Sequence, residues 1–192
     1  MSELLETRLL TTARADDAVA ALRSATAGPT IVGPVLPGAI NGGDVLVHAR
    51  SHALPEASAA DEWVRYRPGT AGLRRTPRPG NVYRTLLLGV RDDADDAAIA
   101  RFERDTLTMP EHLPSILWWR LSRVESAHGP TPFTHVWEQV FSDPEGLRGQ
   151  YMRHPVHWGL VDRWFDPEVP EHITLERLCH VACLLTDDRL DV

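Results

Sequence analysis

A chain of 192 residues with 43% hydrophobic side chains suits one large soluble domain or two small ones of roughly 90–100 residues. Its formal charge of −7 leaves no basic surplus to displace counterions from phosphates, which argues against a nucleic-acid partner. No apolar run reaches the roughly 20 residues of a membrane span, and MSELLETRLL lacks the basic region and long apolar core of a signal peptide. Cys179 and Cys183, the two cysteines, stand four positions apart and suggest no disulfide framework, so the expectation is reduced thiols in a cytoplasmic protein.

In chain order, Leu4 to Thr12 reads as a first strand. Asp16 and Asp17 open a short helix whose apolar positions are Val19, Ala20 and Leu22, and Gly28-Pro29 ends it. Thr30 to Leu36 and Val45 to His48 are strand-like, joined through a turn at Asn41-Gly42-Gly43. Ala57 to Arg65 reads as a helix carrying Trp63, and Arg67 to Gly80, rich in Pro, Gly and Arg, as a loop or linker.

The pattern then restarts. Val82 to Val90 is a strongly apolar strand. Asp92 to Asp96 opens a helix with Ile99, Phe102 and Leu107 as its buried stripe, bounded by Pro110 and Pro114. Ser115 to Val124 and Phe133 to Phe141 are strands; Ser142 caps the next helix, with Glu145 at capping-box spacing, and that helix carries Leu147 and Tyr151. Ile173 to Leu185 closes the series as a strand or a strand–helix mixture. Both halves thus read β-α-β-β-α with a closing strand, the order of a ferredoxin-like unit. A weak collinear repeat supports this: Arg8-Leu9-Leu10 resembles Arg84 to Leu88, and Glu62 to Tyr66 resembles Gln150 to His154.

The densest chemistry lies in Gln150 to Phe165, QYMRHPVHWGLVDRWF. Tyr151 and His154 are three apart, on one face if the helix extends that far. Pro155 disfavours helical geometry at His154, so the chain turns there and His157 can fold back toward Tyr151. A phenol and an imidazole held together form an acid/base pair. The competing reading makes Tyr151 and Trp158 core and both histidines partners of buried backbone groups. On the preceding strand, His135, Trp137, Gln139 and Phe141 share one face, which a barrel would bury around its lumen; Thr134, Val136, Glu138 and Val140 take the other. His135, His154 and His157 lack a convincing further ligand for zinc, and no GxGxxG, P-loop or GxSxG is present.

Phe133-Thr134-His135-Val136, followed by Tyr151-x-x-His154-Pro155-x-His157 and by Asp162 to Pro167, resembles the stress-responsive dimeric α+β barrel (Dabb) family. The resemblance covers about residues 82–186, and residues 3–75 only by pattern. It implies an α+β fold in which ferredoxin-like units pair their sheets into a barrel. Most members do this as homodimers; here it implies an intramolecular pseudo-dimer, or a further dimer of two-domain chains, with residues 1–76 as a degenerate unit and 77–192 as the unit carrying the site. A plant polyketide cyclase of the family closes its substrate by an aldol-type condensation without a cofactor. Its catalytic tyrosine and histidine fall on Tyr151 and His157, and its cavity-lining positions on His135 and Trp137. Arg84 or Tyr83 stands near a histidine of that enzyme, which implies a pocket of different charge. The binding candidates are therefore His135, Trp137, Arg84, Tyr83 and His154. The resemblance implies a cofactor-independent cyclase or lyase acting on a small carbonyl compound. A binding or stress-associated protein without chemistry, and a barrel filled by its own side chains, are the alternatives.

Overall fold

Alternation of apolar side chains at period two builds the strands of this chain, and they join edge to edge into one antiparallel sheet. The structure is a computed structural model that describes residues 3–58, 61–76 and 79–185. In chain order the elements are β1 (Leu5–Leu10), α1 (Ala15–Ala25), β2 (Thr30–Pro34), β3 (Val45–Arg50), β4 (Glu62–Tyr66), β5 (Thr70–Leu73), β6 (Val82–Leu88), α2 (Asp96–His112), β7 (Ile116–His128), β8 (His135–Phe141) and β9 (Cys179–Leu184). Between β8 and β9 run two wide π-type turns, Gly146–Tyr151 and His157–Val161, and a 3₁₀ turn, Asp162–Trp164. The boundary expected at 76/77 abuts residues 77–78, which lie outside the described residues. Among the described residues no helix is long and apolar enough to cross a membrane.

The sheet runs β2-β3-β1-β4-β7-β8-β6-β9, with β5 also pairing with β7. It curls until its ends meet: Leu36 N–H donates to Ala182 O (2.8 Å), and Ile40 and His180 exchange backbone bonds of 2.9 and 3.0 Å. Gly42 sits at this seam, where a Cβ would fall 1.7 Å from Cγ1 of Val181, so only glycine lets the two ends approach. The result is a mixed α+β fold around a nearly closed antiparallel barrel. α1 covers one outer face through Val19 and Leu22, packed on Val32, Val45 and Val47. α2 and the turns after β8 cover another, through Phe102, Met109, Tyr151 and Trp164.

Several expectations are corrected. The described part of Ala57 to Arg65 is not helical. Glu62 to Tyr66 forms β4, with Val64 and Tyr66 buried inward and Arg65 stacked over the Trp63 ring at 4.3 Å on the other side. Period two wins because β1 and β7 offer edges on both sides. The proposed match of Glu62 to Tyr66 with Gln150 to His154 therefore pairs a strand with a helical turn and fails. Within the expected linker, Thr70–Leu73 is β5. Pro110 lies inside α2, in its last turn, two residues before the helix ends. The turn after β8 is capped by Asp143, whose Oδ1 accepts from Gly146 N–H at 2.7 Å; Ser142 only donates to Asp143.

The largest correction concerns faces. The barrel interior is filled by side chains from strands on every side, among them Leu9, Ile31, Leu46, Val64, Tyr83, Trp118, Val136, Val140 and Val181. It also holds a polar network. Glu138 accepts from Tyr83 O–H (2.7 Å) and from Arg120 through Nε (2.7 Å) and Nη2 (3.0 Å); His48 Nδ1 lies 3.5 Å from the same carboxylate, and Thr7 and Tyr66 share a 2.9 Å bond beside it. Burial alone would push the Glu138 carboxyl up, but Arg120, then His48, hold it below the usual carboxylate range. Val136, Glu138 and Val140 thus face the lumen. Trp137 and Phe141 face outward under α2 and the turns that follow β8, the reverse of the expectation.

Candidate active site

The pocket lies outside the barrel, between the outer face of β6, β8 and β9 and the helical cover. Arg84, Leu86 and Leu88 of β6, Trp137 of β8 and His180 of β9 form its floor; Phe102, Thr106 and Met109 of α2 form one wall. Tyr151, Met152, His157, Asp162 and Phe165 close it from above, and Ile40 of the β2–β3 connection stands at its edge. Its volume is about 180 Å³.

Pro155 does interrupt the helix, with a break at His154, but helical geometry resumes at once at Pro155. The break carries His157 back over Tyr151, with ring centroids 4.7 Å apart and planes at 68°. Tyr151 is 2% exposed, lies edge-on to Phe141 at 5.3 Å and directs its hydroxyl toward Sδ of Met109 at 3.9 Å. Burial pushes the phenol up, and the Arg84 charge opposes it. Asp162 Oδ2 lies 3.3 Å from Nδ1 of His157, which favours the proton on Nδ1 and leaves Nε2 as the basic nitrogen. Wide turns of this kind are rare and cluster at functional sites. The next residues anchor the cover to α2, since Arg163 Nη2 and Trp164 Nε1 both donate to Asp105, at 2.6 and 3.0 Å.

Arg84 is 2% exposed and donates Nη1 to Gln139 Oε1 at 2.7 Å. Its Nε, the Trp137 Nε1 and the His180 Nε2 are buried without a hydrogen-bonded partner. Burial draws the Arg84 guanidinium below its usual range. Burial, then Arg84, draws His180 down from 6.5 to about 3, so its imidazole is neutral.

Three other sequence candidates are not brought to the pocket. His135 shares the outer face but is held by Thr134 Oγ1 (2.8 Å) and Glu103 Oε1 (3.2 Å), with Phe102 edge-on at 5.6 Å. Its pKa falls through burial, partly offset by Glu103. Tyr83 points into the barrel, onto Glu138. His154 accepts from Val156 N–H through Nδ1 at 3.2 Å and so starts the next turn. His135, His154 and His157 do not converge: among the described residues no three His, Cys, Asp or Glu side chains form a metal-binding group.

His180 and Asp162 were missed. Strict alternation in Cys179–Leu184, with Cys179, Val181 and Cys183 inward, would have put His180 on the pocket face. Asp162 follows His157 by five positions, a spacing that ordinary helical patterns do not pair.

His180 also gives a pH prediction. The unfolded chain protonates it near 6.5, whereas the folded chain resists until about 3. Across that window the unfolded state binds more protons, so stability falls with falling pH, by at most about 1.4 kcal/mol per pH unit. His180→Gln should flatten this acid limb in thermal melts between pH 6.5 and 4; an unchanged limb would refute the assignment.

Comparison with solved structures finds the same fold at very low identity. An anthrone oxidase-like protein superposes with a TM-score of 0.61 at 8% identity, covering 98% of this chain and 93% of its own. A monooxygenase-like protein from Fusobacterium nucleatum gives 0.57 at 7% identity, covering 96% and 93%. A chlorite dismutase variant from Candidatus Nitrospira defluvii gives 0.52 at 10% identity, covering 96% and 92%. No curated protein sequence matches. The model of the Stress responsive A/B Barrel Domain matches residues 82–179, the span from β6 to the start of β9 that builds all of the pocket but Ile40 and His180, and the chain therefore belongs to the Dabb family.

Proposed function

We propose that this pocket removes a proton from carbon beside a carbonyl of a small molecule, with His157 as base and Tyr151 as electrophile. His157 Nε2 takes the proton, and the Tyr151 hydroxyl donates to the enolate oxygen as it forms. The enolate carbon then attacks a second carbonyl of the same molecule, and His157 returns the proton to the new alkoxide, a cofactor-independent cyclase reaction; the reverse cleavage is a lyase reaction. The observation that carries this reading is the run of Tyr151, His157 and Asp162 along the pocket roof, with 4.7 Å between the rings and 3.3 Å from imidazole to carboxylate. The oxidase-like and monooxygenase-like relatives in fold favour a second reading, in which the same enolate meets dioxygen. An oxygen electrode separates the two.

We read the sheet order as two ferredoxin-like units in one chain, each with its third, first and fourth strands side by side, forming a pseudo-dimeric barrel. The buried thiols of Cys179 and Cys183 fit a reducing, cytoplasmic setting. The test of the chemistry is deuterium exchange from solvent into a panel of 1,3-diketones. Wild-type protein should accelerate exchange and His157→Ala should not. Equal acceleration by both would sink the proposal.

A further inference from the structure

Arg84 has a counterpart. β1 lies between β3 and β4 just as β6 lies between β8 and β9, and each of these two central strands carries one buried arginine, Arg8 and Arg84. Both arginines are 2% exposed. Arg8 is neutralised: Nε donates to Glu6 Oε1 at 2.9 Å, Nη2 donates to the same oxygen, and Asp61 lies 3.9 Å away. Two residues before Arg84, where Glu6 precedes Arg8, the chain has Val82. Among the described residues no carboxylate forms an ion pair with Arg84. Its titratable neighbour across the floor, His180, is not an acid, and its imidazole is neutral. A buried guanidinium without a counter-ion is costly, and such sites persist where a ligand supplies the charge.

The rest of the pocket agrees. Arg84 Nε and Trp137 Nε1 lack a well-aligned acceptor, so the floor offers hydrogens, while the carboxylate of the pocket, Asp162, stands in the roof beside His157. Beyond Ile40, Met152 and His180, which it shares with the pocket, a mainly apolar groove of about 270 Å³ continues along Leu36, Leu147 and Ala182. Ile40 is 52% and Met152 48% exposed at this junction.

We propose that the pocket binds a carboxylate or equivalent small organic anion, its charged oxygens on Arg84 in the role Glu6 plays for Arg8, and its apolar body directed past Ile40 and Met152 into the groove. This names the substrate class for the site described above and rests on that site being the one used.

The experiment measures equilibrium binding, so it is independent of turnover. Benzoate, 2-naphthoate and decanoate are each titrated against the matching amide by calorimetry at pH 7. At least one acid should bind about tenfold or more tighter than its amide, the range expected for a charge-assisted hydrogen bond. Arg84→Met should abolish that preference, and Arg84→Lys should keep part of it. The Arg84→Met/Gln139→Leu double variant, which leaves neither partner orphaned, should hold or raise the thermal midpoint, whereas Arg8→Met, which strands Glu6, should lower it. Acids that bind no better than amides, or a preference that survives Arg84→Met, overturn the inference. In either case the exchange assay with His157→Ala judges the chemistry separately.

Discussion

Glu138→Leu should destabilise the protein by roughly 3–5 kcal/mol, because it strands a buried charge. Arg120 would keep its guanidinium inside the barrel without a carboxylate, and the Tyr83 hydroxyl would lose its 2.7 Å acceptor. Burial already holds the Tyr83 phenol well above its usual range, so ionisation cannot relieve the loss. For a chain of this size the thermal midpoint should drop by roughly 10 °C. Arg120→Met added to Glu138→Leu removes the stranded charge and should recover most of the loss. Urea denaturation of the single and double variants measures both. A single variant within 1 kcal/mol of wild type, or a double variant no better than the single, would show that the pair does not hold the barrel in this way.

In the pocket, His157→Ala should lower the rate of enolate formation by roughly 10²–10⁴-fold, the usual contribution of one positioned general base. The side chain is mostly covered, and among the described residues its aromatic contact is with Tyr151, so the thermal midpoint should barely move. Tyr151→Phe keeps the ring contacts with Phe141 and His157 and removes only the hydroxyl. A loss approaching 10²-fold in kcat, with little change in KM, is then expected, as for one lost oxyanion donor. Asp162→Asn distinguishes positioning from packing. Its carboxylate acts on His157 and is partly solvated, so kcat should fall roughly tenfold or more while KM holds. A change confined to KM would move Asp162 from orienting the base to shaping the pocket.

Much of the fold was legible because its signals are local. Val82, Tyr83 and Leu86 to Leu88 mark a strand buried on both faces, and β6 is buried at all seven positions, Arg84 and Thr85 included. The start of α2 was legible in its acidic run, with Asp95 capping Ala98 N–H at 2.7 Å. What failed depended on partners. Glu62 to Tyr66 can alternate as a strand or pack as a helix, and the choice falls to the edges of β1 and β7, which are distant in sequence. Alternation along β8 separated two faces but could not say which was inside, since Trp137 and Val136 are equally fit for burial; the acid Glu138 finds its base, Arg120, only through the lumen. In the candidate site, the proline break and the two rings either side of it were readable from QYMRHPVHW. The lack of an acid beside Arg84 was not, because an absent partner leaves no mark on a strand's own residues.

The sealed Glu6–Arg8 cluster also bears on stoichiometry. Arg8 and Arg65 both donate to Glu6, and Ser51, Pro55 and Asp61 close around them, so that side of the barrel is already charge-balanced from within. A guest anion has nothing to neutralise there. Titrations should therefore saturate at one molecule per polypeptide with a Hill coefficient of one, where a symmetric pair of identical subunits would offer two equal vacancies.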